Sequence, residues 1–241
     1  MNERVGACVV ALLVLAIAAI ARAAPFENTI AQRVLACTGC HGEQGRAGPD
    51  GYYPRLAGKP AGYLFNQLRN FRDERRHYEL MSGLLALLDD AYLREIAAYF
   101  ASLDVPYPPP AAAAATEALR ERGEALVRHG DPARSLPACT QCHGDAMTGR
   151  APFIPGLLGL PRDYLNAQLG AWRSGQRRAI APDCMAEVAR GLAPEDIGAV
   201  SAWLAAQPVP AHAQPLSDAA ATLPMPCGGL QQPIANAAAG R

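Results

Sequence analysis

Apolar positions recur at helical spacing in four stretches of the chain. Ile30, Val34 and Leu35 predict a helix from Glu27 to Ala36. Tyr63, Leu64, Leu68 and Phe71 make an apolar stripe on a second helix, about Ala61 to Arg72. A third opens at Asp89-Asp90, an N-cap and an acidic first turn, and runs to about Leu103. Its inner face is Tyr92, Leu93, Ile96, Tyr99 and Phe100. A fourth, Glu117 to Arg128, is amphipathic through Leu119, Ala125, Leu126 and Val127. Polar loops are expected at Glu43 to Gly51, around Met81, and at His129 to Pro137. The prolines at 106 and 108–110, followed by alanines 111–115, predict a stiff extended linker. After Gln207 the periodicity stops, and an irregular Ala-, Pro- and Gln-rich tail is expected.

The pattern repeats. Pro54, Leu56, Gly58, Pro60, Tyr63, Leu64, Gln67 and Leu68 return as Pro155, Leu157, Gly159, Pro161, Tyr164, Leu165, Gln168 and Leu169, an offset of 101. Phe71 and Arg72 become Trp172 and Arg173, Met81 pairs with Met185, and Tyr99-Phe100 with Trp203-Leu204. The offset grows to 104 at Met185, which places a three-residue insertion just before it. Two copies of one domain are expected, at 24–105 and 116–207, with the linker at 106–115 and the tail at 208–241.

Ahead of the first copy, Asn2-Glu3-Arg4 precedes 17 small and apolar residues, Val5 to Ala21. Small residues follow, the pattern of an export signal over 1–23 cut after Ala23. An uncleaved membrane anchor is the alternative, since 17 residues is the lower limit for a span. Either way the rest of the chain lies outside the cytoplasm. Aromatic residues are only 6%, so a core of protein alone is lean in large side chains. The formal net charge of zero argues against a nucleic-acid partner.

The chemistry sits in Cys37-Thr38-Gly39-Cys40-His41 and Cys139-Thr140-Gln141-Cys142-His143. C-x-x-C-H is the attachment signature of a c-type haem. Two thiols on one turn of backbone each add to a vinyl group of one porphyrin, and the following His faces the iron as proximal ligand. A zinc site would need further paired ligands, and a thioredoxin-like dithiol a βαβ pattern; neither is visible. Two covalently bound haem c groups are expected, on Cys37, Cys40 and His41, and on Cys139, Cys142 and His143. Their propionates make the loaded protein mildly acidic.

The sixth ligands come from elsewhere. Met81 and Met185 hold the same place in both copies, while Met147 lies close to its own cysteines and Met225 has no counterpart. Met81 and Met185 are therefore the expected iron ligands, with His77 a competitor for the first iron. Arg75-Arg76 and Arg177-Arg178 also recur, either near propionates or as a solvated face.

Taken together, CTGCHG and CTQCHG, the stretch YPRLAGKPAGYLFNQLRNFR with its partner IPGLLGLPRDYLNAQLGAWRSGQRR, and Met81 and Met185 resemble the di-haem cytochromes of the cytochrome c4 family. The resemblance runs from about Ala36 to Ala206. It implies an all-α fold of two tandem class I cytochrome c domains facing each other across a pseudo-twofold axis. Pro54 and Pro155 look like the family's proximal prolines, whose carbonyls accept a hydrogen bond from the two ligand histidines. The chain departs from the pattern in its tail, its two extra cysteines and its single lysine, Lys59.

Those two cysteines carry a further expectation. Of seven, Cys8 lies in the signal segment and four serve haem, leaving Cys184 and Cys227. In an oxidising compartment spare thiols pair, so a Cys184–Cys227 disulfide is expected, with two free thiols or a ligand role for Cys184 as alternatives. The function expected is that of a periplasmic electron carrier and not an enzyme. Its partners would be redox proteins: a quinol-oxidising complex or dehydrogenase as donor, a terminal oxidase as acceptor, with membrane association possible. The alternatives are a cytochrome subunit of a larger assembly and a di-haem peroxidase.

Overall fold

The computed structural model of the chain describes residues 27–48, 51–110, 115–211, 213–217 and 222–230. The expected signal segment, four linker alanines and the chain end lie outside these residues. The chain divides into two compact units, 1–33 and 34–241. In the first, the described residues carry one short helix, α1 (Ile30–Arg33), with the Arg33 guanidinium donating to Asn28 Oδ1 at 3.0 Å. Everything below concerns the second unit.

Its first half contains α2 (Leu35–His41), α3 (Ala61–Arg72), α4 (Glu79–Leu85) and α5 (Asp90–Ser102). Its second half contains α6 (Glu117–His129), α7 (Cys139–His143), a hairpin of β1 (Gly149–Arg150) and β2 (Ile154–Pro155), α8 (Arg162–Ser174), α9 (Cys184–Gly191) and α10 (Pro194–Ala206). The all-α expectation holds, the hairpin pairing only Gly149 with Pro155 and Arg150 with Ile154.

Local chemistry sets the helix ends. Asp89 caps α5 by accepting from the Tyr92 amide at 2.8 Å, and Thr116 caps α6 by accepting from Leu119. Pro194 opens α10 at the position where a missing N–H costs nothing. In the first half α3 packs on α5 through Leu64, Phe71, Leu93, Ile96 and Phe100, all buried. In the second, α10 packs on both α6 and α8. The α6–α10 crossing is close at Gly123, where an added Cβ would meet the Ala199 carbonyl oxygen at 2.3 Å.

Three expectations are corrected. The helix expected over Glu27 to Ala36 is interrupted at Val34, whose ψ of 6° leaves the helical region, and a new helix runs on through the first Cys-His motif. Met81 stands on a short helix, α4, and not in a loop, and Met185 stands on the matching short helix α9. Ala125 is exposed, and Gly123 takes the buried place on α6. The described tail residues are irregular and make specific contacts. The Leu216 amide donates to Gly149 O at 2.9 Å and its carbonyl accepts from Ala151 at 2.8 Å, adding a third segment beside the hairpin edge. Unpaired backbone groups at an edge find a partner there.

The two halves meet along α3, α8 and the segments after them. Arg76 and Arg177 oppose each other in an antiparallel bridge, the Arg178 amide donates to Arg75 O at 2.6 Å, and the Tyr63 amide to Pro152 O at 3.0 Å. Outside the apolar stripe of α3, Phe65 is covered by Arg69 and Arg94, Asn70 is bonded to Arg75, and Asn66 donates to Gly229 O of the tail.

Candidate functional site

Each Cys-His motif forms a short helix that ends on a glycine with positive φ, Gly42 (75°) or Gly144 (81°). At Gly42 a side chain would strike the Ala47 carbonyl oxygen at 2.3 Å, so the turn admits only glycine. That turn sends the backbone back beneath the helix. In the first half Leu56 and Ala57 donate to Gly45 O at 2.8 and 3.1 Å; in the second Leu157 donates to Met147 O at 2.9 Å. These bonds hold the two proline carbonyls in place.

The result is the same contact twice. His41 Nδ1 lies 2.8 Å from Pro54 O, and His143 Nδ1 lies 2.8 Å from Pro155 O. A carbonyl only accepts, so each Nδ1 carries the proton and each Nε2 is left with its lone pair. Among the described residues no hydrogen bond engages either Nε2. Both rings are buried, 6% exposed, and burial pushes both imidazoles below their ordinary proton affinity, against the proline bonds and with help from Arg76 and Lys59 respectively. A neutral imidazole with a directed, unprotonated Nε2 is what an iron requires.

Cys37, Cys40, Cys139 and Cys142 are all unpaired, although each pair shares one helical turn. Burial pushes the Cys139 thiol up to about 12 and raises Cys37 and Cys142 as well. Unpaired thiols beside a free Nε2 fit a covalently attached haem c at both places.

Met81 is half-buried on α4, which is tied to α3 by Ser82 Oγ donating to Phe71 O at 3.1 Å. Met185 is half-buried on α9, behind Asp183, whose two carboxylate oxygens accept from the Ala179 and Ala186 amides. Met147 lies instead in the second core, 3% exposed, with Leu126, Val127 and Leu204. His77 is exposed, and its amide donates to Gln176 O at 3.3 Å. Cys184 and Cys227 form a disulfide, Cα–Cα 5.1 Å, and the Gly228 amide next to it donates to Pro182 O at 2.9 Å.

Several site residues carried weak sequence signals. Arg76 and Arg177 are buried where their neighbours Arg75 and Arg178 are not, and each stacks on an aromatic of its own half, Phe71 or Trp172, at 4.4 and 3.6 Å. Arg55 is buried by the linker: it donates to Ala57 O, Pro106 O and Val105 O and stacks on Tyr107 at 3.8 Å. Only the recurrence of Gln67 as Gln168, and of the arginine pairs, could have pointed to this layer.

The fold and the paired sites define a c-type cytochrome with two haem centres. Cytochrome c4 from Pseudomonas aeruginosa is 35% identical over 195 residues, covering 80% of this chain and 94% of that protein. With that match the chain belongs to the cytochrome c4 family, and it is a di-haem electron-transfer protein with two covalently bound haem c groups. The thiosulfate dehydrogenase electron acceptor of Thiomonas intermedia is 39% identical over 176 residues, 72% of this chain and 79% of that protein. Among solved structures, reduced cytochrome c4 from Pseudomonas stutzeri matches with a TM-score of 0.62 at 33% identity, covering 72% of this chain and 94% of that one. A thiosulfate dehydrogenase (TsdBA) from Marichromatium purpuratum matches at TM-score 0.64 and 34% identity, where the chain covers 72% of its own length but only 36% of the other. No protein-family model matches the chain.

Proposed function

We propose that the chain carries single electrons in the periplasm, from a dehydrogenase to a terminal oxidase or similar acceptor. Cys37 and Cys40 would hold one haem through thioether bonds, and His41 Nε2 and Met81 sulfur would bind its iron. Cys139, Cys142, His143 and Met185 would do the same for the other. Bound haem supplies a one-electron iron couple, and thioether ligation sets it at a higher potential than two imidazoles would. The chain's own part is to hold the proton on each Nδ1 against Pro54 O or Pro155 O, which fixes ring orientation and electron donation. Ligation of each iron by a methionine as well as a histidine would leave no position for peroxide, which weighs against the peroxidase alternative.

The observation that carries this reading is the His–Pro contact, repeated at 2.8 Å in both halves beside unpaired cysteines. A dehydrogenase as donor is supported by the two relatives named thiosulfate dehydrogenase electron acceptor. The quinol-oxidising complex remains the other donor class. Export is supported by the apolar leader, and no helix among the described residues is long and apolar enough to cross a membrane. A second reading, the cytochrome part of a larger dehydrogenase assembly, is favoured by the match to about a third of the M. purpuratum chain.

Stopped-flow mixing of the oxidised holoprotein with a thiosulfate dehydrogenase and thiosulfate tests the donor. Reduction of both haems within a turnover, with negligible peroxide consumption, is expected. Rapid peroxide turnover by the half-reduced protein would replace this reading with the enzymatic one.

A further inference from the structure

Lys59 is the only lysine of the chain and is 4% exposed. It belongs to the first half, yet its Nζ donates to Gly156 O of the second at 2.7 Å. No carboxylate pairs with it among the described residues, and its charged neighbour is another cation, Arg55. Burial, then Arg55, pushes its ammonium down to about 7. A buried cation without an acid is costly, and neutral side chains could fill an interface more cheaply.

The duplication shows what the lysine stands in for. In the first half the residue after the proximal proline is Arg55, a buried cation next to Pro54. The counterpart after Pro155 is Gly156. No side chain fits there, because a Cβ would meet the Thr148 carbonyl oxygen at 2.6 Å. The position after the second proximal proline therefore carries no side chain, the loop's own cation, Arg150, acts on the Cys142 thiol instead, and Lys59 of the other half occupies the Gly156 carbonyl. The reverse does not occur, since the counterpart of Lys59 is Leu160, buried in the second core.

We propose that Lys59 is a positioning residue for the second haem, supplied by the first domain. Its ammonium, on the peptide next to the carbonyl that holds His143, favours the reduced state of that haem. It also makes that haem's potential depend on domain docking. The physical basis is charge: reduction removes one positive charge from the iron, so a cation held nearby in a poorly polarisable interior stabilises the ferrous form. The inference rests on His143 as axial ligand, which haem content and the visible spectrum of His143→Ala test independently.

The experiment is spectroelectrochemistry of the full-length holoprotein at pH of about 5.5, below the value of about 7 at which Lys59 loses its proton, with Lys59→Met removing the charge and Lys59→Gln keeping a hydrogen-bond donor for Gly156. Haem content and the reduced spectrum should match the parent in both. One of the two potentials should fall, changing that haem's ferric-to-ferrous ratio at fixed applied potential about tenfold, or about 59 mV for a one-electron couple. Lys59→Arg should restore it. The wave that moves should be the one displaced by Met185→His. Equal movement of both waves, no movement in either variant, or movement of the other wave alone would overturn the proposal.

Discussion

Arg76 and Arg177 donate to the same two glutamines. Arg76 reaches Gln67 Oε1 at 3.2 Å and Gln168 Oε1 at 2.7 Å; Arg177 reaches Gln168 Oε1 at 2.7 Å and Gln67 Oε1 at 2.8 Å. Each half thus supplies one arginine and one glutamine to a closed four-residue ring across the interface. Burial, and then Arg76, lowers Arg177 to about 10, still far above neutrality, so its guanidinium stays charged.

Removing Arg177 takes one of two donors from each glutamine oxygen and leaves Arg76 as the other. Arg177→Ala should cost about 1–3 kcal/mol, read from the urea midpoint of the holoprotein. Arg178→Ala, at an exposed neighbour, should stay within about 0.5 kcal/mol. Equal effects of the two would remove the ring as the element that fixes docking.

The sixth ligands are tested spectroscopically. Ferric His/Met haems show a weak charge-transfer band at the red end of the spectrum. Met81→Ala should remove about half of it and Met185→Ala the other half. A band that survives either change refutes that assignment.

The Cys184–Cys227 bond closes a loop of 43 residues. In the chain-entropy model this stabilises by about 4 kcal/mol. Cys227→Ser should therefore lower the thermal midpoint and expose residues 213–230 to limited proteolysis. The tail also reaches the first half, where Asn66 Nδ2 donates to Gly229 O at 2.7 Å. Asn66→Ala should loosen the same segment to a smaller degree.

Asp196 controls the acid limit of the second domain. Its carboxylate is 0% exposed; burial alone would raise its proton affinity, but Arg134 at 2.7 Å, the Ala193 amide at 3.0 Å and Arg122 together hold it below the usual range. A depressed carboxylate contributes stability above its unfolded pKa, about 3.9, and loses it as pH falls through the folded value. Asp196→Asn should cost about 1–3 kcal/mol at neutral pH, reduced because both arginines are partly exposed. Its deficit should shrink as pH falls below about 4. A constant deficit down to pH of about 2 would mean that the charge is irrelevant.

At the α6–α10 crossing, Gly123→Ala should destabilise the second domain by about 1–3 kcal/mol. Its Cβ would meet Ala199 O at 2.3 Å and Trp203 Cβ at 2.7 Å, and neither backbone can yield without separating the helices. Chemical unfolding followed by Trp203 fluorescence would show it; an unchanged midpoint means that the crossing relaxes freely.

The sequence by itself determined whatever is local or duplicated. The bounds of α3 and the caps at Asp89 and Thr116 follow from spacing and short-range hydrogen bonding. The two Cys-His motifs could be read because attachment chemistry demands adjacent residues; the resemblance pointed to Pro54 and Pro155, whose carbonyls do meet the two histidines, and the repeat put Met81 and Met185 in matching places. Only the tertiary structure decided what depends on contacts between distant segments. Lys59 reads as one surface cation until Gly156, 97 residues away, takes its ammonium. Arg76 and Arg75 look alike until the opposing half buries one of them. The tail has no period to read, because single contacts at Leu216, Cys227 and Gly229 fix it, not a repeating apolar face. Periodicity encodes burial against one continuous core, whereas an interface between two domains selects individual residues by where the other domain lies.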